Sequence, residues 1–159
     1  MTFDTATPIL LVDDEYMMVE VITAMLAKLG FRDVDFACDG ESALRQLQER
    51  SYGLVISDLN MPGAGGLELA RRVRNDPALK HTPFIMTTAS RDLNKARQAK
   101  VAGVDHYLLK PFRSDVLRAK LELVIGKHAL IMSRMRQAEL AADAKAQRRG
   151  AAESSFGRD

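Results

Sequence analysis

The sequence predicts an α/β fold in which a parallel sheet carries helices on both faces. Three observations lead there. Five short apolar runs recur at strand length, segments with helical spacing separate them, and charged or hydroxyl residues stand where several of the runs end.

The first run, Ile9-Leu10-Leu11-Val12, ends at Asp13-Asp14. The helix after it places Val21, Met25 and Leu29 at i, i+4 and i+8, with Ile22 and Leu26 on the adjoining row and Gly30 as its stop. Residues 34–38 form the second strand, and Ala43, Leu44 and Leu47 give the stripe of the next helix. The third run, Leu54-Val55-Ile56-Ser57, ends at Asp58; a helix with Leu67, Leu69, Ala70 and Val73 follows and closes at the Asn75-Asp76-Pro77 turn. Residues 84–88 make the fourth strand, ending in Thr88. A weaker stripe (Leu93, Ala96, Ala99, Val101) runs to Gly103, and residues 106–109 make the fifth strand, with Lys110 just past it. After Ser114 the pattern changes: Leu117, Leu121, Val124, His128, Ile131, Met135, Ala138 and Ala142 are spaced alternately by four and three, a heptad-like seam. Gly126 and His128 interrupt it, and its last members are only Ala. Two readings stay open here, a fifth helix that overruns its domain with a fraying end, or a helix that forms a homodimer or meets a partner.

The bulk properties bound the answer. A chain of 159 residues suits one domain with a real core and is short for two ordinary ones. One cysteine, Cys38, excludes a disulfide framework and a cysteine-rich zinc site. No apolar stretch approaches the ~20 residues that span a bilayer, so membrane insertion is not expected. The start, Met1-Thr2-Phe3-Asp4, has no secretory pattern, which makes the cytoplasm the expected location. Residues 1–126 carry 16 Lys/Arg against 17 Asp/Glu, whereas residues 127–159 carry 7 against 4. The basicity lies in the tail, and a globally basic nucleic-acid binder is not indicated. The expected organisation is a domain at 1–126, a basic helical extension at 127–149 and a disordered tail at 150–159.

Asp is depleted from strands, and a charged group at a strand end costs free energy unless something there uses it. If the first and third strands are parallel neighbours, Asp13, Asp14 and Asp58 converge. Like charges ~4 Å apart repel by roughly 4 kcal/mol per pair at an effective dielectric near 20. Such a cluster calls for a divalent cation, a lysine, or both, and Lys110 is available. Together with the strand-end hydroxyl of Thr88, this set suits phosphoryl transfer to an aspartate. Asp58 can be the nucleophile, Asp14 with Asp13 behind it can hold Mg²⁺, and Thr88 and Lys110 can donate to phosphoryl oxygens.

The motifs Leu11-Val12-Asp13-Asp14-Glu15, Asp58 through Gly66 (Asp-Leu-Asn-Met-Pro-Gly-Ala-Gly-Gly), Thr87-Thr88-Ala89 and Tyr107 through Phe112 (Tyr-Leu-Leu-Lys-Pro-Phe) stand in this order. Over roughly residues 8–126 the chain resembles the receiver domain of two-component response regulators, and within it the CheY-like single-domain regulators. The resemblance implies a doubly wound, five-stranded, flavodoxin-like sheet of order 2-1-3-4-5 with five helices, the last extended. It implies Asp58 as phosphoacceptor, with Mg²⁺ on Asp14, Asp58 and the backbone carbonyl of Asn60, and Asp13 acting mostly through water. It implies Thr88 as the switch hydroxyl and Tyr107 as the aromatic switch; Thr87 points the other way by strand alternation. The Lys110-Pro111 bond is expected to be cis. Arg113 departs from the capping Ser or Thr of many relatives, and Ser114 is the candidate to take over the cap.

The implied protein is a phosphorylation switch, not an enzyme acting on an external substrate. A sensor histidine kinase or histidine phosphotransfer protein would supply the phosphoryl group. The surface of the fourth helix, fifth strand and fifth helix would then engage a downstream protein, such as a flagellar motor switch or relay protein. Two other classes compete. A haloacid-dehalogenase-type phosphatase also uses Asp, Thr or Ser, Lys and Mg²⁺, but resembles an Asp-x-Asp motif where this chain has Asn60. A DNA-binding regulator would have to use the basic tail as a helix, because the residues after Gly126 have no second apolar core and cannot form a winged helix. A calcium-loop reading of Asp58-Leu59-Asn60 fails because Pro62 fills a ligand position and Leu69 stands where the bidentate acid belongs. His81, His106 and His128 have neither nucleophile nor metal-ligand spacing.

Overall fold

The computed structural model describes residues 4–156, with side chains placed to residue 153. Two compact units divide the chain, one reaching to Ile125 and one starting at Gly126. In the first, strands β1 (Ile9–Val12), β2 (Val34–Ala37), β3 (Leu54–Asp58), β4 (Phe84–Thr88) and β5 (His106–Leu109) alternate with helices α1 (Tyr16–Lys28), α2 (Gly40–Glu49), α3 (Gly66–Asn75) and α4 (Leu93–Val101). The strands form one parallel sheet in the order β2-β1-β3-β4-β5, and α5 (Ser114–Phe156) closes the sequence of elements. Fold class, strand order and an extended last helix agree with expectation.

The sheet is buried on both faces, and period-two alternation deals its residues to two cores. Ile9, Leu11, Leu54, Ile56, Ile85 and Leu108 face Val19, Ile22 and Leu26 of α1 and Leu117, Leu121 and Val124 of α5. Leu10, Val12, Val55, Phe84 and Met86 face the other way, toward Leu44 and Leu47 of α2, Leu69 and Val73 of α3 and Ala99 of α4.

Several local expectations change. In α1 the buried row is Val19, Ile22 and Leu26, while Val21 is exposed and Met25 and Leu29 are half-buried. The two rows are adjacent on the helix, and the one facing Leu11 and Ile56 takes the core. In α4 only Ala99 is buried, leaving Leu93 and Val101 exposed. β3 extends by one residue to include Asp58, and β2 stops at Ala37. Ser114 is the first residue of α5 and not its cap, because the carbonyl of Arg113 already accepts the first helical bond from Leu117 N, at 3.1 Å. The helix also continues through Gly150 to Phe156 where disorder was expected; a single Gly costs about 1 kcal/mol against a run of strong helix formers from Ala141 onward. Residues 157–159 of the expected tail lie outside the described residues. Within the seam, Leu117, Leu121 and Val124 are spent on the domain core, whereas Ile131 is exposed.

Gly30 and Gly103, at φ +101° and +93°, end α1 and α4. Beside Gly103, Arg74 at the end of α3 gathers the loops at the start of β4 and β5. Its guanidinium donates to the carbonyls of Gly103 (2.8 Å), Lys80 (3.1 Å) and Thr82 (2.6 Å), and pairs with Asp105 at 3.0 Å. The same Asp105 oxygen accepts Phe84 N at 2.8 Å, which fixes the entry of β4. Burial lowers the Arg74 pKa from its ordinary value against the opposing pull of Asp105. Arg74→Met keeps the aliphatic bulk but leaves Asp105 and three carbonyls without this donor. Urea denaturation should show a loss of about 2–4 kcal/mol, and a change under about 0.5 kcal/mol, the usual surface value, would refute this structural role.

Candidate functional site

The C-terminal strand ends hold the candidate site. Asp13 follows β1, Asp58 ends β3, Thr87 and Thr88 end β4, and Lys110 follows β5. β3 lies between β1 and β4, so the two carboxylate-bearing strands are indeed parallel neighbours. Carboxylate oxygens of Asp13, Asp14 and Asp58 all lie within 4.8 Å of one another; Asp13 and Asp58 are buried and Asp14 is exposed.

Lys110 answers this charge. Its Nζ donates to Asp13 Oδ2 at 3.0 Å and to Asp58 Oδ1 at 3.2 Å, so the side chain reaches from beyond β5 across the end of β4. The Lys110-Pro111 peptide bond is cis, as expected. Asp13 is anchored a second time, since its Oδ1 accepts the backbone N–H of Glu15 at 2.9 Å at the entry to α1. Asp58 titrates above the ordinary carboxylate range. Burial is the largest cause, and the charges of Asp13 and Asp14 add to it, against the counter-pull of Lys110. For Lys110 burial pulls downward, but the Asp13 hydrogen bond and the charges of Asp58 and Asp13 outweigh it and raise the ammonium pKa. Three carboxylates against one ammonium thus leave the acidic cluster under-neutralised.

The loop after β3 is held close by a glycine. A Cβ on Gly66 would stand 2.3 Å from the carbonyl oxygen of Asp58, so only glycine lets the first turn of α3 lie on the tip of β3. Asn60 is exposed in this loop and lines a cleft of about 570 Å³ together with Leu59, Met61, Pro62, Arg71, Lys95 and others. Thr88 is fully buried, and its Oγ1 accepts Ser90 N at 3.1 Å. Tyr107 packs half-buried against the α2–α3–α4 core, with its hydroxyl 3.5 Å from the Ser90 carbonyl. Both residues therefore meet at the β4–α4 connection.

The structure gathers Asp13, Asp14, Asp58 and Lys110 into one cluster, and places Asn60, Thr88 and Tyr107 on the elements around it. The donor set, three carboxylates at hard-oxygen spacing beside an exposed loop, fits a divalent ion such as Mg²⁺. Two contributors escaped the sequence reading. Gly66 stands at the end of the motif that Asp58 opens, but its close approach to the Asp58 carbonyl is a tertiary fact that the motif does not show. Thr87 reads only as facing away from Thr88, although a second hydroxyl at the end of an otherwise apolar strand is signal enough to ask what it faces.

Comparison with known proteins agrees with this geometry. The family model described as the response regulator receiver domain matches residues 9–122. The chemotaxis protein CheY of Pseudomonas aeruginosa is 40% identical over 119 residues, covering 75% of this chain and 96% of that protein. The CheY-3 protein of Vibrio cholerae is 38% identical, covering 75% and 92%. Among solved structures, CheY4 of Vibrio cholerae superposes with a TM-score of 0.70 at 32% identity, covering 74% of this chain and 98% of that one. The receiver domain of the sensor histidine kinase PA1611 of Pseudomonas aeruginosa PAO1, solved with a magnesium ion coordinated in its active-site cleft, also gives 0.70 at 32% identity, covering 76% and 98%. With its sheet order, its strand-tip carboxylates and its bridging lysine, this chain belongs to the response regulator receiver domain family, the signalling switches of two-component systems.

Proposed function

We propose that Asp58 accepts a phosphoryl group from the phosphohistidine of a sensor histidine kinase or histidine phosphotransfer protein. One observation carries this reading: a single ammonium, Lys110 Nζ, bonds both Asp13 and Asp58 inside a carboxylate cluster compact enough for one cation. In the transfer an Asp58 carboxylate oxygen bonds to phosphorus while the N–P bond of the donor breaks, and the histidine nitrogen keeps the electron pair. Mg²⁺ held by Asp14, Asp58 and the Asn60 carbonyl, with Asp13 as outer support, would offset the negative charge gathered on the phosphoryl oxygens. Lys110 moves its hydrogen bond from Asp58 to a phosphoryl oxygen, and Thr88, the last residue of β4, turns its hydroxyl away from Ser90 N and over the strand end to donate to another.

The switch then runs through Thr88 and Tyr107, which share the β4–α4 connection through Ser90. Taking a two-state element from 1:99 to 99:1 needs roughly 5.5 kcal/mol of differential interaction, which charge-assisted bonds to a phosphate can supply. The surface they remodel is that of α4, β5 and α5, where Val101, Leu109 and Val116 are exposed apolar residues available to a downstream protein. The chemotaxis names of the relatives favour a flagellar motor switch protein as that target, with a phosphorelay protein as the other candidate.

Asp58→Asn is expected to abolish acid-labile phosphate uptake from a histidine kinase or a small phosphodonor. Labelling at the wild-type level would overturn the assignment of Asp58.

The same substitution has a thermodynamic signature in chelator-treated protein. A carboxyl whose folded pKa is raised contributes stability at low pH, and that contribution is lost as pH rises from the ordinary carboxylate value through the raised one. Asp58→Asn should therefore raise Tm relative to wild type at pH 7, with the gap closing as the pH falls toward 4. A variant less stable than wild type at pH 7 would show that Lys110 outweighs burial and repulsion.

A further inference from the structure

Among the described residues, one buried side-chain polar atom has no hydrogen-bond partner: Oγ1 of Thr87, in a residue only 1% exposed. Buried hydroxyls are nearly always bonded, so an orphan calls for a physical explanation. The position of Thr87 in the sheet supplies one.

Ile85, two residues earlier on β4, belongs to the α1–α5 core, whereas Phe84 and Met86 belong to the opposite core. Alternation therefore puts the Thr87 side chain on the α1–α5 side. Asp58 follows Leu54 and Ile56 on β3, both in that same core, and it is the direct register partner of Thr87. Asp13 continues the parity of Leu11, and Lys110 that of Leu108. Across β1, β3 and β4 one face thus carries Asp13, Asp58 and Thr87 side by side, and on β5 Lys110 follows two residues after Leu108, the register partner of Thr87. Three members are tied together by the Lys110 ammonium, which must cross the end of β4 to reach Asp58. Thr87, on the strand being crossed, is the member left out.

We propose that Thr87 is a further positioning residue of this site, whose hydroxyl bonds the Asp58 carboxyl group only when Asp58 is loaded. The proposal rests on the reading of Asp58 as phosphoacceptor. In the unloaded state Lys110 occupies Asp58 Oδ1. On loading, the ammonium moves to a phosphoryl oxygen, and the carboxyl oxygen of the acyl phosphate loses that donor. Thr87, the register partner of Asp58 on a strand whose backbone runs about 4.8 Å from β3, turns its hydroxyl about χ1 and donates to it. No bond beyond the hydrogen bond forms or breaks. The orphaned hydroxyl weakens the unloaded state and is satisfied in the loaded one, which biases the switch toward loading.

Beryllofluoride with Mg²⁺ serves as the phosphoryl probe, with binding read by calorimetry and by ¹⁹F NMR. Thermal unfolding of the chelated, unloaded protein is the second readout. Thr87→Val, nearly isosteric, should leave the unloaded Tm unchanged or higher and weaken beryllofluoride binding about 5- to 10-fold, the size of one net hydrogen bond. Thr87→Ser, which restores the hydroxyl, should recover most of that affinity. Wild-type beryllofluoride affinity in Thr87→Val would overturn the proposal. So would a lower unloaded Tm with affinity unchanged, the mark of a hydroxyl already satisfied by buried water, or a loss of affinity that Ser does not rescue, the mark of packing alone. If the wild type binds beryllofluoride no better than Asp58→Asn, the phosphoacceptor reading itself fails, independently of Thr87.

Discussion

The site depends on one ammonium holding two buried carboxylates. Lys110 Nζ lies 3.0 Å from Asp13 and 3.2 Å from Asp58, in a place where neither acid has full access to water. Without that charge the tips of β1 and β3 would carry uncompensated like charges, and burying them would oppose the sheet order that creates the site. With it, the cluster is stable yet still negative, three carboxylates against one ammonium. An acidic cluster in that condition favours a divalent cation, and an ammonium already at hand favours an incoming phosphate. The fold supplies this economically, because a parallel sheet sends every strand's C-terminal end to the same edge.

Much of this was legible in the chain. The aliphatic runs at 9–12 and 54–57 are long enough for strands and short enough to exclude helices, and each ends on an acid, so topology alone brings Asp13 and Asp58 together. What the sequence concealed depends on packing partners far away in the chain. Periodicity in α1 offers two adjacent apolar rows, and only the sheet decides that Val19, Ile22 and Leu26 face inward while Val21 stays outside. Gly66 reads as one more loop glycine until Asp58 O is seen 2.3 Å from its missing Cβ. The seam after Ser114 keeps its heptad spacing past Gly126 and His128, yet its residues divide between the buried core of the domain and an exposed helical stretch. Spacing reports which residues share a helix face; it does not report what covers that face.

The end of β4 gives the proposed switch its direction. Its two hydroxyls point to opposite sides of the sheet. Thr87 shares a face with Asp58 and Lys110, while Thr88 follows Met86 toward the core where Tyr107 packs. A displacement of this strand end, driven from the charged side, would therefore be delivered to the other side without any long chain of contacts. There it meets α4, the helix with the least to lose by moving. α4 buries only Ala99, exposes Leu93 and Val101, and begins just after the Ser90 carbonyl that Tyr107 approaches. A segment with few buried apolar groups opens at low free-energy cost, and such segments are where conformational responses concentrate. α1, with Val19, Ile22 and Leu26 all buried against the sheet, lacks that freedom although it lies closer to Asp13. The asymmetry between a well-anchored α1 and a lightly anchored α4 is what would send a charge change at Asp58 toward the α4–β5–α5 surface and not back into the site's own supporting helix.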